Sequence, residues 1–259
     1  MSQDILYEVR EGIGRITFNR PEARNAFTFR MYERLAEICK QAVSDSSVKV
    51  LVLTGSDEKA FAAGTDISEF RKFSSAQDAL DYEVRINGLL DAFERIPIPT
   101  IAAIAGACTG GGTTIAACCD LRIGAANTRF GVPISRTLGN CLSMANYVRL
   151  TALIGPARVK EIIFTARLID AAEAHALGLL SEVLPDYAAL QTRAAELART
   201  VASHAPLTLR ATKEALRRIK ERMIPAEDDD LILGCYLSND FREGLEAFLN
   251  KRPPKWTGT

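Results

Sequence analysis

Histidine is scarce in this chain, with two residues, His175 and His204, among 259. The six cysteines therefore have few partners for a metal site, and Cys39, Cys108, Cys118, Cys119, Cys141 and Cys235 lack metal-ligand spacing. They sit in apolar or helical settings and read as reduced thiols of a cytoplasmic protein. A cysteine nucleophile at Cys108 or Cys141 is disfavoured, because neither histidine has an evident route to it. An excess of charge is missing too. Lys+Arg and Asp+Glu both count 32, which removes the electrostatic footprint of a nucleic-acid-binding protein. The basic stretch at residues 210–222 reads as the solvated face of a helix, a patch for a phosphorylated ligand being the sharper alternative. No uncharged apolar run is long enough to span a membrane; the best lies around "IPIPTIAAIAGAC". The opening "MSQDILYEVREG" has neither a basic nor an apolar signal region, so no signal peptide is expected. Sequence repeats and low-complexity linkers are absent as well.

The apolar and charged fractions, 47% and 25%, are those of an ordinary globular chain. "ILYEVREGIGRITFNRP" alternates around Gly12 and Gly14 and predicts a β-hairpin ending at Pro21. Thr28 is placed to cap a helix carrying Met31, Leu35, Ile38 and Ala42. "VKVLVLTG" and "TIAAIAG" predict short buried strands. A helix opens at Asp66, a longer one runs through "AQDALDYEVRINGLLDAFERI", and "DLRIGAANTRFG" is strand-like. After Cys141 the pattern becomes helical, with a break at Gly155 and Pro156. Asp170 and Glu173 have capping-box spacing, and Gly178 suits a helix stop. "LLSEVLP" predicts one more strand. Strand and helix alternate in the first half, and helix dominates the second, which implies one α/β core with a helical C-terminal part.

The stretch "CTGGGTTIAACCD" raises a question of purpose. Gly110, Gly111 and Gly112 fall between a strand and a helix, where unpaired N–H groups meet positive potential. Glycine lets a ligand come close to such groups. "AAGTD", residues 62–66, has the same layout. Two such loops could each aim one N–H at a shared oxygen, an oxyanion hole. Close packing of helix on strand explains both loops equally well.

Five segments, "NRPEARNAF", "AFAAGTDISEF", "IPTIAAIAGACTGGGTTIAACCDLRIG", "ARLIDAAEAHALGLLSEVLP" and "FREGLEAFLNKRPPKW", together resemble the crotonase superfamily of enoyl-CoA hydratases and isomerases. The resemblance runs from about Ile5 to Trp256. It implies an α/β fold with a core of repeated ββα units over residues 1–195 and a C-terminal helical trimerisation region over residues 196–259. It also implies acyl-CoA thioester substrates, no cofactor or metal beyond the coenzyme A of the substrate, and a homotrimer or dimer of trimers, with no nucleic-acid or membrane partner. The oxyanion amides map onto Thr65 and Gly111. Ala23, Arg24, Ala26, Ala63, Asp66, Ile67 and Gly110 map near the coenzyme A. Phe248 and Lys251 match C-terminal positions that approach it, often from a neighbouring subunit.

The two glutamates of family hydratases map onto Thr114 and Ile134, neither of which can act as a general base. A shift of one residue gives Ser135, still no carboxylate. Ordinary hydration is therefore not expected, since each acid–base group contributes roughly 10²–10⁴-fold. Ser135, Arg136, Asn140, Cys141 and Ser143 come from the segment that faces the acyl group in relatives and are the polar candidates. Arg136 could hold a carboxylate on the acyl chain, or be a surface residue. The helix carrying Glu83 borders the acyl pocket in relatives, which leaves a replacement base open. The expectation is an enzyme that stabilises a thioester enolate. A non-catalytic acyl-CoA-binding homologue and an acyl-CoA decarboxylase or hydrolase are the alternatives.

Overall fold

The computed structural model describes residues 4–224 and 228–259. The chain opens with the expected hairpin, β1 (Ile5–Arg10) and β2 (Ile13–Phe18), paired antiparallel. Helix α1 (Phe29–Ser44) follows, and the Thr28 hydroxyl accepts the Met31 N–H at its start. Strands then come in consecutive pairs, each closed by a helix. β3 (Val50–Gly55) and β4 (Ala60–Ala62) precede α2 (Ala76–Glu94). β5 (Thr100–Ile104) and β6 (Ala107–Thr109) precede α3 (Gly111–Cys118). β7 (Leu121–Ala125) and β8 (Arg129–Gly131) precede the one-turn α4 (Ile134–Thr137).

The first strand of each pair joins one sheet and the second joins another. With β9 (Ile169–Asp170) and β10 (Glu182–Leu184), the sheets read β1-β2-β3-β5-β7-β10 and β4-β6-β8-β9. This is the repeated ββα architecture that the resemblance implies. Because β2, β3, β5 and β7 run parallel, the middle strands are covered on both faces. Every residue of β3 is buried. Leu51 and Leu53 enter the main core, while Val50 and Val52 pack under α7 (Tyr187–Ala202).

Helix α5 (Met144–Thr165) bends where expected, at Gly155 with φ 74°, ahead of Pro156. Asp170 caps α6 (Ala171–Ala176) by accepting the Glu173 N–H, but the reciprocal half of the capping box is replaced. The Glu173 carboxylate is held by Arg167 at 2.6 Å instead. The expected boundary at 195/196 falls inside α7. Leu190, Ala194, Ala198 and Val201 of that helix share one core with the large sheet, so all of α7 packs with the α/β part. The peripheral helices are α8 (Pro206–Glu221), α9 (Asp229–Tyr236) and α10 (Asn239–Leu249). α8 buries none of its residues, and Leu207, Leu216 and Ile219 are among its exposed apolar side chains. Among the described residues no helix is long and apolar enough to cross a membrane.

Candidate active site

The three consecutive glycines have three different local reasons. Gly110 adopts φ 52°, ψ −120°, a conformation that side chains oppose. A Cβ on Gly112 would stand 2.1 Å from the Ala62 carbonyl oxygen, so α3 packs directly on β4 only without one. A Cβ on Gly111 would lie 2.4 Å from the Tyr32 hydroxyl and 3.3 Å from the Thr65 nitrogen. Close packing and close approach are therefore both at work, at different positions of the same triplet.

The Thr65 and Gly111 amides thus come together on one wall. Around Thr65 the bridge to Phe27 uses the neighbouring groups. Phe27 N–H donates to Gly64 O and Asp66 N–H donates to Phe27 O, each at 2.8 Å. That parallel pattern leaves the Thr65 N–H pointing away from Phe27. Gly64, at φ +103°, turns the chain against the other loop. Gly111 is the first residue of α3, so its N–H has no acceptor within the helix and lies at the positive end of the helix dipole. The Thr65 hydroxyl is fixed by the Tyr32 hydroxyl at 3.0 Å and the Tyr82 hydroxyl at 3.3 Å. Burial pushes the Tyr32 phenol up to about 12 and raises that of Tyr82 well above its ordinary value, so both stay neutral.

Both loops open onto a cavity of about 540 Å³. Ala63, Gly64, Thr65, Gly110 and Gly111 form its backbone end, and Tyr32, Phe70, Tyr82, Ile86 and Leu142 are among its apolar walls. The other end is polar, with Glu83, Asn140, Cys141, Asn146 and Tyr236. Glu83 sits on α2 and is 9% exposed. Tyr236 from α9 donates to Glu83 Oε1 at 2.7 Å, and Asn140 Nδ2 donates to the Tyr236 hydroxyl at 3.2 Å. Burial pushes the Glu83 carboxyl up to about 7, against the pull of the Tyr236 hydrogen bond and with help from the charge of Asp228. The other carboxylate on the cavity wall is Asp66. Burial alone would raise it, yet hydrogen bonds from Ser68 and the Arg20 guanidinium hold it below its ordinary value. Among the described residues lining the cavity, Glu83 is thus the carboxyl group poised to exchange a proton near neutrality.

The remaining candidates divide between the cavity and its surroundings. Ala23, Arg24, Ala26, Asp66, Ile67, Thr114, Ile134, Asn140 and Phe248 line it. Thr114 keeps its hydroxyl for the Gly111 carbonyl at 2.8 Å, and Thr113 gives its own to Cys108 O and Gly131 O. Ser135 and Arg136 do not line it. On the single turn of α4, Ile134, Thr137 and Leu138 face the cavity, whereas Ser135 and Arg136 are exposed on the far side. Ser135 donates to the Ile163 carbonyl instead. Ser143 is buried behind the wall, donating to Asn87 Oδ1 at 2.8 Å. Lys251 lies beyond the end of α10, exposed and outside the lining. Cys108 is sealed in the core, where burial raises its thiol far above the ordinary value. Tyr32, Tyr82 and Tyr236 carry no local pattern that would single them out. They are recognised only once α1, α2 and α9 meet.

Residues 8–259 match the family described as enoyl-CoA hydratase/isomerase. The chain is 32% identical over 252 residues to the short-chain-enoyl-CoA hydratase of Clostridium acetobutylicum, covering 96% of this chain and 95% of that protein. It is similar in structure to an enoyl-CoA hydratase/carnithine racemase from Magnetospirillum magneticum, with a TM-score of 0.81 and 35% identity over 100% of this chain and 97% of that one. It is also similar to a methylmalonyl-CoA decarboxylase in complex with 2-nitronate-propionyl-CoA, with a TM-score of 0.90 and 27% identity over 100% of both chains. The ββα architecture, the two apposed glycine loops and these likenesses agree: the chain belongs to the enoyl-CoA hydratase/isomerase family of the crotonase superfamily.

Proposed function

We propose that the chain binds an acyl-CoA thioester, stabilises its enolate with the Thr65 and Gly111 N–H groups, and moves one proton with Glu83. The observation that carries this reading is the apposition of those two amides, 3.3 Å separating the Thr65 nitrogen from a Cβ position on Gly111. Two N–H donors fixed before reaction stabilise charge that develops on the thioester oxygen without reorganisation cost. Glu83, with its pKa near 7, takes up and releases a proton at neutral pH. It removes a proton from the α-carbon of a β,γ-unsaturated acyl group, the C–H electron pair passing to the thioester oxygen as the enolate, and returns a proton to the γ-carbon, which moves the double bond into conjugation. Water addition by a pair of glutamates is not supported, because Thr114 and Ile134 bring no carboxylate to the cavity wall. Decarboxylation loses its proposed anchor, since Arg136 lies outside the lining.

The curated relative and the solved structures named above carry CoA-linked activities in their names, which supports an acyl-CoA substrate here. The unpartnered apolar side chains of α8 support assembly as a homotrimer or dimer of trimers. The unpaired cysteines support a reducing, cytoplasmic setting. Deuterium exchange at the α-carbon of a saturated acyl-CoA in heavy water tests the chemistry. Wild-type protein should exchange, and Glu83→Gln should exchange roughly 10²–10⁴-fold more slowly. Crotonyl-CoA should be hydrated poorly. Full exchange by Glu83→Gln, or hydration at the rate of a two-glutamate hydratase, contradicts the proposal.

A further inference from the structure

Two of the six cysteines differ from the rest. Cys39, Cys108, Cys118 and Cys119 are buried, and burial pushes all four thiols up, that of Cys118 to about 11 and that of Cys39 to about 12. Such thiols are poor nucleophiles. Cys141 and Cys235 are only partly buried. Cys141 lines the cavity in the loop before α5, and its Sγ reaches the Leu231 carbonyl on α9 at 3.4 Å. Leu231 is one helical turn before Cys235, so the two cysteines sit on facing segments. The interaction of the facing thiols draws the Cys235 thiol down to about 7 and raises that of Cys141. Cys235 is thus the more readily ionised thiol of the pair.

We infer that Cys141 and Cys235 form an oxidation site at which a hydroperoxide converts the facing thiols into a disulfide, stapling α9 to the loop that lines the cavity. The Cys235 thiolate attacks a peroxide oxygen, the O–O bond breaks, and hydroxide leaves and is protonated. Cys235 is then a sulfenic acid. Cys141 gives up its proton, its sulfur attacks the Cys235 sulfur, and water departs as the S–S bond forms. In sum, two thiols and one hydrogen peroxide give one disulfide and two waters, the sulfurs losing the two electrons that the peroxide gains. The bond, about 2.05 Å, is shorter than any thiol–thiol contact, so the two side chains and the segments that carry them must adjust toward each other. Asn140 and Tyr236, the chain neighbours of the two cysteines, are themselves hydrogen-bonded, and Tyr236 holds Glu83. Oxidation therefore disturbs the partner of Glu83, a consequence that rests on the function proposed above.

The test treats the folded full-length protein with one equivalent of hydrogen peroxide and maps its disulfides by mass spectrometry without reduction. A cross-linked peptide pair holding Cys141 and Cys235, lighter by two hydrogens, should dominate. The four buried cysteines should remain free until the protein is unfolded. Acyl-CoA turnover should fall at least several-fold and return with dithiothreitol. Cys235→Ser should match the wild type before peroxide and lose the peroxide-sensitive response. Oxidation that stops at a sulfinic acid, a disulfide between two chains, any other cysteine pair, or an unchanged peroxide response in Cys235→Ser overturns the inference. The peptide map decides the site even if the protein turns over no thioester, which keeps its failure separate from failure of the proposed function.

Discussion

The two ends of the cavity are built from different materials. One end is backbone: the Thr65 and Gly111 amides, held by parallel strand pairing and the first turn of α3. The other end is side chain: Glu83, Tyr236 and Asn140, brought in by α2, α9 and the loop after α4. The backbone end draws its precision from the sheets and needs no titratable group. The side-chain end gets its chemistry from burial, which moves a carboxyl to about 7, and from a helix that belongs to the peripheral C-terminal part. In the proposed function the charge-stabilising amides thus sit on the sheets, and the proton-moving carboxyl sits where helices meet.

That division can be broken from either side. The largest effect is expected at Gly112, where a Cβ meets a backbone oxygen at 2.1 Å and nothing flexible can yield. Gly112→Ala should destabilise the fold by about 3 kcal/mol, at the upper end of ordinary overpacking, and abolish turnover, as urea unfolding and a thioester assay would read. Gly111→Pro removes one amide donor. Combined with Tyr32→Phe, which clears the hydroxyl 2.4 Å from the new Cβ, it should lower turnover roughly 10²–10³-fold while coenzyme A binding persists. Unchanged turnover in the folded double variant would leave the backbone end without a role.

The side-chain end has a smaller, pH-dependent signature. The Glu83 carboxyl is raised in the fold from 4.5 to about 7, so the native state holds its proton more tightly than the unfolded chain. Stability from this group is complete below pH 4.5 and is lost as pH rises towards 7, by at most about 3 kcal/mol. Wild type minus Glu83→Gln, measured as unfolding free energy against pH, should slope downward across that window and level off above it. A flat difference would mean that Glu83 is solvated, not buried.

Legibility in the sequence follows the same division. The backbone end is written in contiguous stretches, residues 62–66 and 108–114, where glycines between strand and helix signal an exposed amide. The hairpin, the Thr28 cap, the buried run of β3 and the break at Gly155 are local as well, and local rules suffice for them. The side-chain end joins residues 96 and 153 positions apart, and no local pattern marks Tyr236. Ser135 and Arg136 show the limit of reasoning by neighbourhood. They lie in the right segment, but a single turn of helix sends them outward while Ile134 and Thr137 face in. The expected boundary at 195/196 falls within α7, because helix density alone does not tell a helix packed on a sheet from one awaiting a partner. Ala194 and Ala198 are buried under the sheet, whereas α8 buries nothing.

In the proposed function two amides hold the enolate oxygen of a thioester. A crystal structure with a nitronate analogue of an acyl-CoA measures this directly. The oxygen that mimics the enolate should lie about 2.7–3.1 Å from both the Thr65 and Gly111 nitrogens, with Glu83 the carboxyl nearest the reacting carbons. An analogue whose oxygen sits away from either amide, or whose acyl group is flanked by a pair of carboxylates, would contradict it.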